Sequence, residues 1–165
     1  MSAHGHKADV PNSLLCAVIT VSDSRSSGRA EDATGPYIAK VLSEKNEVVC
    51  TKVVADEVAA IRKAVTSLVG RVDCIVLTGG TGLGTRDVTI EAVLPILDKE
   101  LPGFGELFRR LSYEEIGTAA IMSRAVAGIS GRCAIFCIPG SRGAVSLAMD
   151  IIKGEMYHIV KHVRD

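Results

Sequence analysis

The stretch Cys74-Ile-Val-Leu-Thr78, followed directly by Gly79-Gly-Thr-Gly-Leu-Gly-Thr-Arg-Asp87, decides the fold predicted for this sequence. The first five residues form an apolar run of the kind found in strands buried on both faces of a sheet. The glycines allow a tight turn, and residues 88–97 continue with helical spacing. A strand that turns into a helix through a short glycine loop is typical of an α/β fold.

The same alternation of strand and helix extends in both directions along the chain. Apolar runs predict further buried strands at residues 14–21, 48–54 and 133–138. Helical spacing predicts helices from about residue 32 or 34 to 42 and over residues 57–69, 88–97, 104–111 and 144–163, with a helix turning into a strand over 121–127. We therefore predict an α/β three-layer sandwich whose mostly parallel sheet is covered by helices on both faces.

Length and charge limit the possible organisation and partners of the chain. Its 165 residues suit one domain, and we predict a flexible tail over residues 1–12 followed by a single domain over residues 13–165. The 19 basic and 19 acidic side chains give a net charge of zero. Because no stripe of Lys or Arg is present, we expect no nucleic acid partner.

The cysteines and the apolar runs indicate the cellular compartment. The sequence has 5 cysteines, an odd number that argues against a closed disulfide framework. Four of them lie in apolar runs, so we predict buried free thiols in a reducing compartment. No apolar run is long enough to span a bilayer, and we expect a cytoplasmic protein without a membrane partner.

Polar motifs follow the predicted strands at the points where the strands end. Ser22-Asp23 follows the first strand, Asp56 the second, the glycine loop the third, and Pro139-Gly-Ser-Arg142 the last. In open parallel sheets, ligands bind outside the carboxyl ends of the strands. The four motifs therefore predict one binding site at this edge of the sheet.

The glycine loop predicts a phosphate-binding site. Glycines let main-chain amides approach an anion closely, and a helix beginning near residue 88 adds the positive end of its dipole. Thr78, Thr81 and Thr85 add hydroxyl groups, and Arg86 is a candidate phosphate clamp. The loop lacks the Gly-Lys-Ser/Thr ending of a Walker A motif and the spacing of a dinucleotide fingerprint.

Several polar residues at this edge have both a structural and a functional interpretation. Asp87 and Asp56 are each placed to cap a helix or to bind Mg²⁺ beside a phosphate. Ser22-Asp23 is either an ordinary turn or a contact to a base or ribose, and Ser141 is either a helix cap or a second anion contact. The residues themselves indicate phosphoryl or nucleotidyl transfer assisted by a metal.

Seven motifs follow one another along the chain from about Leu14 to the last predicted helix. They are Thr20-Val-Ser-Asp23, Val54-Ala-Asp56, Leu77-Thr-Gly-Gly-Thr-Gly82, Arg86-Asp-Val-Thr89, Leu101-Pro-Gly-Phe-Gly-Glu106, Ile121-Met-Ser-Arg124 and Ile138-Pro-Gly-Ser141. This ordered set resembles the MoaB/Mog family, which includes molybdopterin adenylyltransferases and the gephyrin G domain.

The resemblance implies an enzyme in which Mg²⁺ and ATP adenylylate the terminal phosphate of molybdopterin and release pyrophosphate. It implies that Asp56 and Asp87 are catalytic and bind Mg²⁺. The substrate-binding residues that it implies are Ser22, Asp23, Thr78, Gly79, Gly80, Thr81, Gly82, Arg86, Thr89, Ser123, Pro139, Gly140 and Ser141. It also implies a homotrimer or a homohexamer.

Two alternatives remain beside this enzyme. One is a non-catalytic carrier or scaffold for molybdopterin, because some MoaB-type proteins have lost the Arg-Asp-Val-Thr segment and are inactive. This chain retains Arg86-Asp87-Val88-Thr89, which favours activity. The other is a nucleotide-hydrolysing domain similar to the N-terminal part of CinA-type proteins, which are longer and carry a second domain.

Overall fold

The computed structural model describes residues 11–165, and in this range the chain forms a six-stranded mixed sheet with helices on both faces. The strands are β1 (Leu15–Val21), β2 (Glu47–Val54), β3 (Cys74–Thr78), β4 (Lys99–Glu100), β5 (Val126–Ser130) and β6 (Cys133–Ile138). The helices are α1 (Asp23–Ser26), α2 (Thr34–Ser43), α3 (Val58–Thr66), α4 (Thr89–Val93), α5 (Pro102–Ile116) and α6 (Arg142–Arg164), with 3-10 segments at Leu94–Ile96 and Gly117–Met122. The predicted fold class is confirmed.

The strand order is β2-β1-β3-β6-β5-β4, and the first four strands run parallel. Their carboxyl ends are in register, since Val21 pairs with Val54, Thr20 with Thr78, and Thr78 with Ile138. The chain moves outward from β1 to β2 and then returns to the other side of β1 to form β3. This reversal is the topological switch point at which ligands bind in doubly wound sheets.

A hydrophobic core lies on each face of the sheet because successive strand residues point to opposite faces. In β1, Cys16 and Val18 pack with α2, α5 and α6, while Ala17 and Ile19 pack with α3 and α4. Phe108 and Phe136 are among the largest fully buried side chains and belong to the first core. The two cores hold the parallel strands rigidly, so their carboxyl ends form a fixed edge.

The structure departs from the predicted elements at several places. The short helix α1 was not predicted, and α3 ends at Thr66 rather than at residue 69. The expected helix over residues 88–97 shortens to α4 and a 3-10 turn at Pro95, which cannot donate a helical hydrogen bond. The helix expected over residues 104–111 is longer and spans α5. The expected helix-to-strand segment over 121–127 becomes the end of a 3-10 turn and the start of β5, which is antiparallel to β6 and to the unpredicted β4.

The predicted tail over residues 1–12 lies outside the described residues except for Pro11 and Asn12. The single domain over residues 13–165 stays a prediction. In the described part of the chain, no helix has both the length and the apolar character needed to cross a membrane.

Candidate active site

A cleft of about 570 Å³ lies at the carboxyl ends of the parallel strands. Its volume is in the range of small-molecule binding sites. Ten of the predicted site residues line it, namely Ser22, Gly79, Gly80, Thr81, Gly82, Asp87, Ser123, Pro139, Gly140 and Ser141. The other five, Asp23, Asp56, Thr78, Arg86 and Thr89, lie outside the lining. The structure therefore brings the motifs that follow β1, β3 and β6 into one cleft, whereas Asp56, which follows β2, lies outside its lining.

The first two glycines of the loop allow it to pass close to β1. Gly79 and Gly80 have φ angles of 93° and 63°, which L-residues with side chains rarely adopt. A Cβ atom at Gly79 would collide with the main-chain oxygen of Val21. The amide of Gly79 donates to the carbonyl of Ile138 at 3.1 Å, which ties the loop to the end of β6.

Two threonines among the predicted site residues form hydrogen bonds to main-chain carbonyls at the loop and at the end of β6. The Thr78 hydroxyl donates to the carbonyl of Pro139 at 3.4 Å, and the Thr89 hydroxyl donates to the carbonyl of Gly79 at 2.8 Å. Both side chains are fully buried. Their hydroxyl protons are therefore used within the protein, and contact of either residue with a substrate stays a prediction.

Asp23, Asp56 and Arg86 form a hydrogen-bonded cluster beside the cleft. The amide of Asp23 donates to the Asp56 carboxylate at 2.8 Å, and the amide of Asp56 donates to the Asp23 carboxylate at 3.0 Å. Arg86 donates through Nε and Nη2 to Oδ2 of Asp23 at 3.0 and 2.8 Å. The Arg86 guanidinium and the amide of Asp56 lower the pKa of Asp23.

Asp56 lies in a less favourable electrostatic environment. Burial raises the pKa of Asp56, and the negative charges of Asp23 and Asp87 raise it further. The charge of Asp87 is therefore close enough to oppose the ionisation of Asp56. Each also lies against the glycine loop, since a Cβ atom at Gly80 would come within 2.8 Å of Asp56 Oδ1 and one at Gly82 within 2.7 Å of Asp87 Oδ2.

This pair of carboxylates fits a Mg²⁺ ion that arrives with a phosphate ligand. Mg²⁺ prefers oxygen ligands, and it usually takes one or two carboxylates together with waters and substrate phosphates. No group of three or more His, Cys, Asp or Glu side chains within residues 11–165 is arranged to hold a metal. Asp56 and Asp87 could supply such a smaller donor set, and a Mg²⁺ site formed by them stays a prediction.

The structure shows which of the four candidate residues, Ser22, Asp56, Asp87 and Ser141, cap helices. Ser22 caps α1 by accepting from the amide of Arg25, and Ser141 caps α6 by accepting from the amide of Ala144. Glu57 and Val88 occupy the N-cap positions of α3 and α4, without a side-chain hydrogen bond. Asp56 and Asp87 are therefore not the caps of these helices, and the Asp87 carboxylate accepts instead from the amide of Gly84 at 3.0 Å.

Part of the cleft lining and the contacts of Arg124 with the loop are not predicted by the sequence. The cleft is also lined by Ser112, Glu115 and Ile116 of α5 and by Met122. No local pattern marks the three residues of α5, because their position depends on how α5 packs on the sheet. Met122 belongs to the motif Ile121-Met-Ser-Arg124. Arg124 contacts the loop, and its only sequence signal is its place in the same motif.

The fold and the cleft define a class of protein, namely a doubly wound α/β domain with a glycine loop and paired carboxylates at its switch point. A family model described as a probable molybdopterin binding domain matches residues 17–158. The chain belongs to this family of molybdopterin-binding domains.

The similarity to known proteins covers nearly the whole chain. Molybdenum cofactor biosynthesis protein B of Bacillus subtilis (strain 168) is 46% identical over 169 residues, which cover 99% of this chain and 98% of that protein. Molybdopterin adenylyltransferase of Pyrococcus furiosus is 43% identical over 170 residues, which cover 100% of both chains. The crystal structure of tungsten cofactor synthesizing protein MoaB from Pyrococcus furiosus superposes with a TM-score of 0.90 at 44% identity, over 94% of this chain and 99% of that one. The resemblance to the MoaB/Mog family is confirmed.

Proposed function

We propose that this protein is a molybdopterin adenylyltransferase in molybdenum cofactor biosynthesis. The observation that carries the proposal is the placement of Asp56 and Asp87 against the glycine loop, at the edge of a cleft sized for a small molecule. A relative that is 43% identical over the whole of both chains bears the name molybdopterin adenylyltransferase. Both carboxylates are retained here, which favours catalysis over simple binding of the pterin.

In the proposed reaction, an oxygen of the terminal phosphate of molybdopterin attacks the α-phosphorus of ATP. The bond between the α-phosphorus and the bridging oxygen breaks, and pyrophosphate leaves. The products are adenylyl-molybdopterin and pyrophosphate. Such a transfer is catalysed mainly by positioning and by neutralising the charge on the phosphates.

Different residues at the cleft position the substrates and neutralise the phosphate charge. Amides of the loop from Gly80 to Gly82 bind phosphate oxygens, while the amide of Gly79 stays bound to the carbonyl of Ile138. Ser22 and the segment from Pro139 to Ser141 bind the rest of the two substrates. Asp56 and Asp87 would hold Mg²⁺, which would supply positive charge to the triphosphate. Arg86 is 62% exposed beside the cleft, and it exchanges its contact with Asp23 for a contact with the triphosphate when ATP binds.

The remaining features of the proposal concern assembly and location. We propose a homotrimer or homohexamer in the cytoplasm with no nucleic acid and no membrane partner. All five cysteines lie in the described range and are free thiols, which supports a reducing compartment. Their burial in the sheet, apart from the half-buried Cys50, supports thiols used for packing.

The test is release of pyrophosphate from purified protein supplied with molybdopterin, ATP and Mg²⁺. The Asp87→Asn variant keeps the size of the side chain and removes one charge, so we expect it to lower the rate at least about a hundredfold. Asp150→Asn, on the exposed face of α6, is the matched control and should retain the rate of the original chain.

The same assay distinguishes the enzyme from a non-catalytic carrier. A carrier would bind molybdopterin without consuming ATP. If the unmodified protein binds the pterin and releases no pyrophosphate, the proposal of an enzyme is wrong. If Asp87→Asn releases pyrophosphate at the original rate, the role proposed for Asp87 is wrong.

A further inference from the structure

The side chain of Arg124 binds the main chain of the glycine loop and lies outside the lining of the cleft. Nε donates to the carbonyl of Thr81 at 2.9 Å, and Nη2 donates to the carbonyl of Gly82 at 2.8 Å and to that of Asp87 at 3.5 Å. The side chain is 29% exposed. One guanidinium therefore joins the middle of the loop to its end, where the catalytic carboxylate is attached.

Glu91 holds the other side of the guanidinium. Arg124 Nη1 donates to Glu91 Oε1 at 2.5 Å, and Nη2 lies 3.4 Å from Oε2. The hydrogen bond from Arg124 lowers the pKa of Glu91, which keeps this carboxylate ionised. Glu91 belongs to α4, the helix that follows the loop, so the orientation of Arg124 is fixed by a rigid element.

Binding of the carbonyls determines where the neighbouring amides point. A trans peptide unit is planar, and its N–H and C=O groups point in opposite directions. The carbonyls of Thr81 and Gly82 belong to the same peptide units as the amides of Gly82 and Leu83. Since Arg124 draws both carbonyls to one side, these two amides are directed away from the guanidinium. Thr81 and Gly82 also line the cleft.

We propose that Arg124 is a positioning residue that orients the amides of Gly82 and Leu83 for binding of phosphate oxygens. It acts through the loop and does not touch the substrate. This inference rests on the proposed function, because it assumes that the loop binds a phosphate group. The forked geometry matters, since a guanidinium holds two neighbouring carbonyls in fixed directions, whereas the ammonium of lysine is a single point of charge.

The experiment measures the affinity for inorganic pyrophosphate in the presence of Mg²⁺ by calorimetry, together with the Tm of each variant. We expect Arg124→Ala to raise the Kd at least about tenfold, because misaligned groups lose much of their effect on a bound anion. We expect Arg124→Lys to give a Kd between those of the original chain and Arg124→Ala. Glu91→Gln removes the charged partner of Arg124 while keeping its shape, and we expect a rise of about threefold with little change in Tm.

Arg132→Ala is the matched control, because it removes the same charge from the exposed turn between β5 and β6, at the opposite end of β6 from the cleft. We expect it to leave the Kd unchanged. If the Kd of Arg124→Lys and Glu91→Gln equals that of the original chain, the positioning role is wrong, even where Arg124→Ala fails to fold. An equal rise in Arg132→Ala also contradicts it. If the unmodified protein does not bind pyrophosphate, the proposed phosphate-binding function of the loop is wrong instead.

Discussion

Asp23 and Asp56 bind each other's main chain, each carboxylate accepting a hydrogen bond from the amide of the other residue at 2.8 and 3.0 Å. This exchange joins the carboxyl ends of β1 and β2 directly beside the cleft. It also brings two negative charges together, and Arg86 offsets that of Asp23. No such cation within residues 11–165 is paired with Asp56, whose charged form is disfavoured by burial. The pKa of Asp56 is therefore raised, while that of Asp23 is lowered.

Asp56→Asn should stabilise the protein at neutral pH and abolish pyrophosphate release. The pKa of Asp56 is higher in the folded chain than in the unfolded chain, chiefly because of burial. Folding therefore favours protonated Asp56, and ionisation lowers the free energy of unfolding as the pH rises through these two pKa values. Asparagine keeps the acceptor for the amide of Asp23 and removes this penalty. Thermal unfolding at pH 7 measures the effect as a higher Tm.

The pH dependence provides the control for this variant. The ordinary pKa of aspartate is about 3.9. Well below this pH, Asp56 is protonated in both the folded and the unfolded chain, and the difference in Tm between the original chain and Asp56→Asn should vanish. Mg²⁺ with ATP should raise the Tm of the original chain more than that of Asp56→Asn. A lower Tm for Asp56→Asn at pH 7 would show that its charge stabilises the fold.

Arg86→Ala should weaken the binding of ATP without destabilising the protein. The side chain is 62% exposed and its ion pair with Asp23 lies on the surface, where such pairs contribute little to stability. We expect the KM for ATP to rise by about tenfold or more, because a guanidinium binds phosphate oxygens strongly. Steady-state kinetics measure this change. Arg164→Ala removes another surface ion pair, with Asp73, and should leave the KM unchanged; equal effects of the two variants would exclude a specific role for Arg86.

Gly82→Ala should impair catalysis by displacing Asp87. The added Cβ atom would lie 2.7 Å from Asp87 Oδ2 and 3.1 Å from its Cγ, so the carboxylate must move. We expect kcat/KM to fall by about ten- to a hundredfold, since small displacements at an active site have effects of this size. A kcat/KM equal to that of the original chain would mean that the position of Asp87 is not important.

Gly154→Ala is the matched control for the alanine at Gly82. Gly154 lies on the exposed side of α6, and no atom lies within 4 Å of an added Cβ atom. Alanine should raise the free energy of unfolding by about 0.5–1 kcal/mol, because it restricts the unfolded chain and favours the helix. Its kcat/KM should remain unchanged.

Cys50 should be the cysteine that reacts with iodoacetamide in the folded protein. Burial raises the pKa of Cys133 and Cys137 to about 12, and Cys16 and Cys74 are also buried. Cys50 lies half-buried on the edge strand β2. Mass spectrometry should find one modified residue at neutral pH and five after unfolding in denaturant, and rapid modification of Cys137 would contradict the packed sheet.

The four parallel strands and the glycine loop could be predicted because each has a local signal. An apolar run such as Cys74–Thr78 indicates burial on both faces, and the glycines that follow indicate a turn against another backbone. Once the strands are parallel, their carboxyl ends must share an edge. The predicted edge therefore follows from the sequence, and the cleft lies there.

The pairing of β5 with β6 and of β4 with β5 could not be predicted in this way. Lys99–Glu100 is too short and too polar to carry a strand signal, and it pairs with residues distant in sequence. The choice between helix cap and carboxylate pair at Asp56 also depended on tertiary structure, because Asp23 supplies the amide that binds it. Arg124 reaches the loop from a segment about 40 residues further along the chain, a relationship that spacing does not encode.

The most direct test of the proposed adenylyl transfer uses ATP with an isotopic label in its α-phosphate and determines which product carries the label. The protein is incubated with molybdopterin, Mg²⁺ and this ATP, and the pterin products are separated and analysed by mass spectrometry. The proposal predicts that the label appears in adenylyl-molybdopterin, with one pyrophosphate released for each AMP group transferred. Label that remains in ATP, or that appears only as free AMP without a pterin adduct, would contradict it.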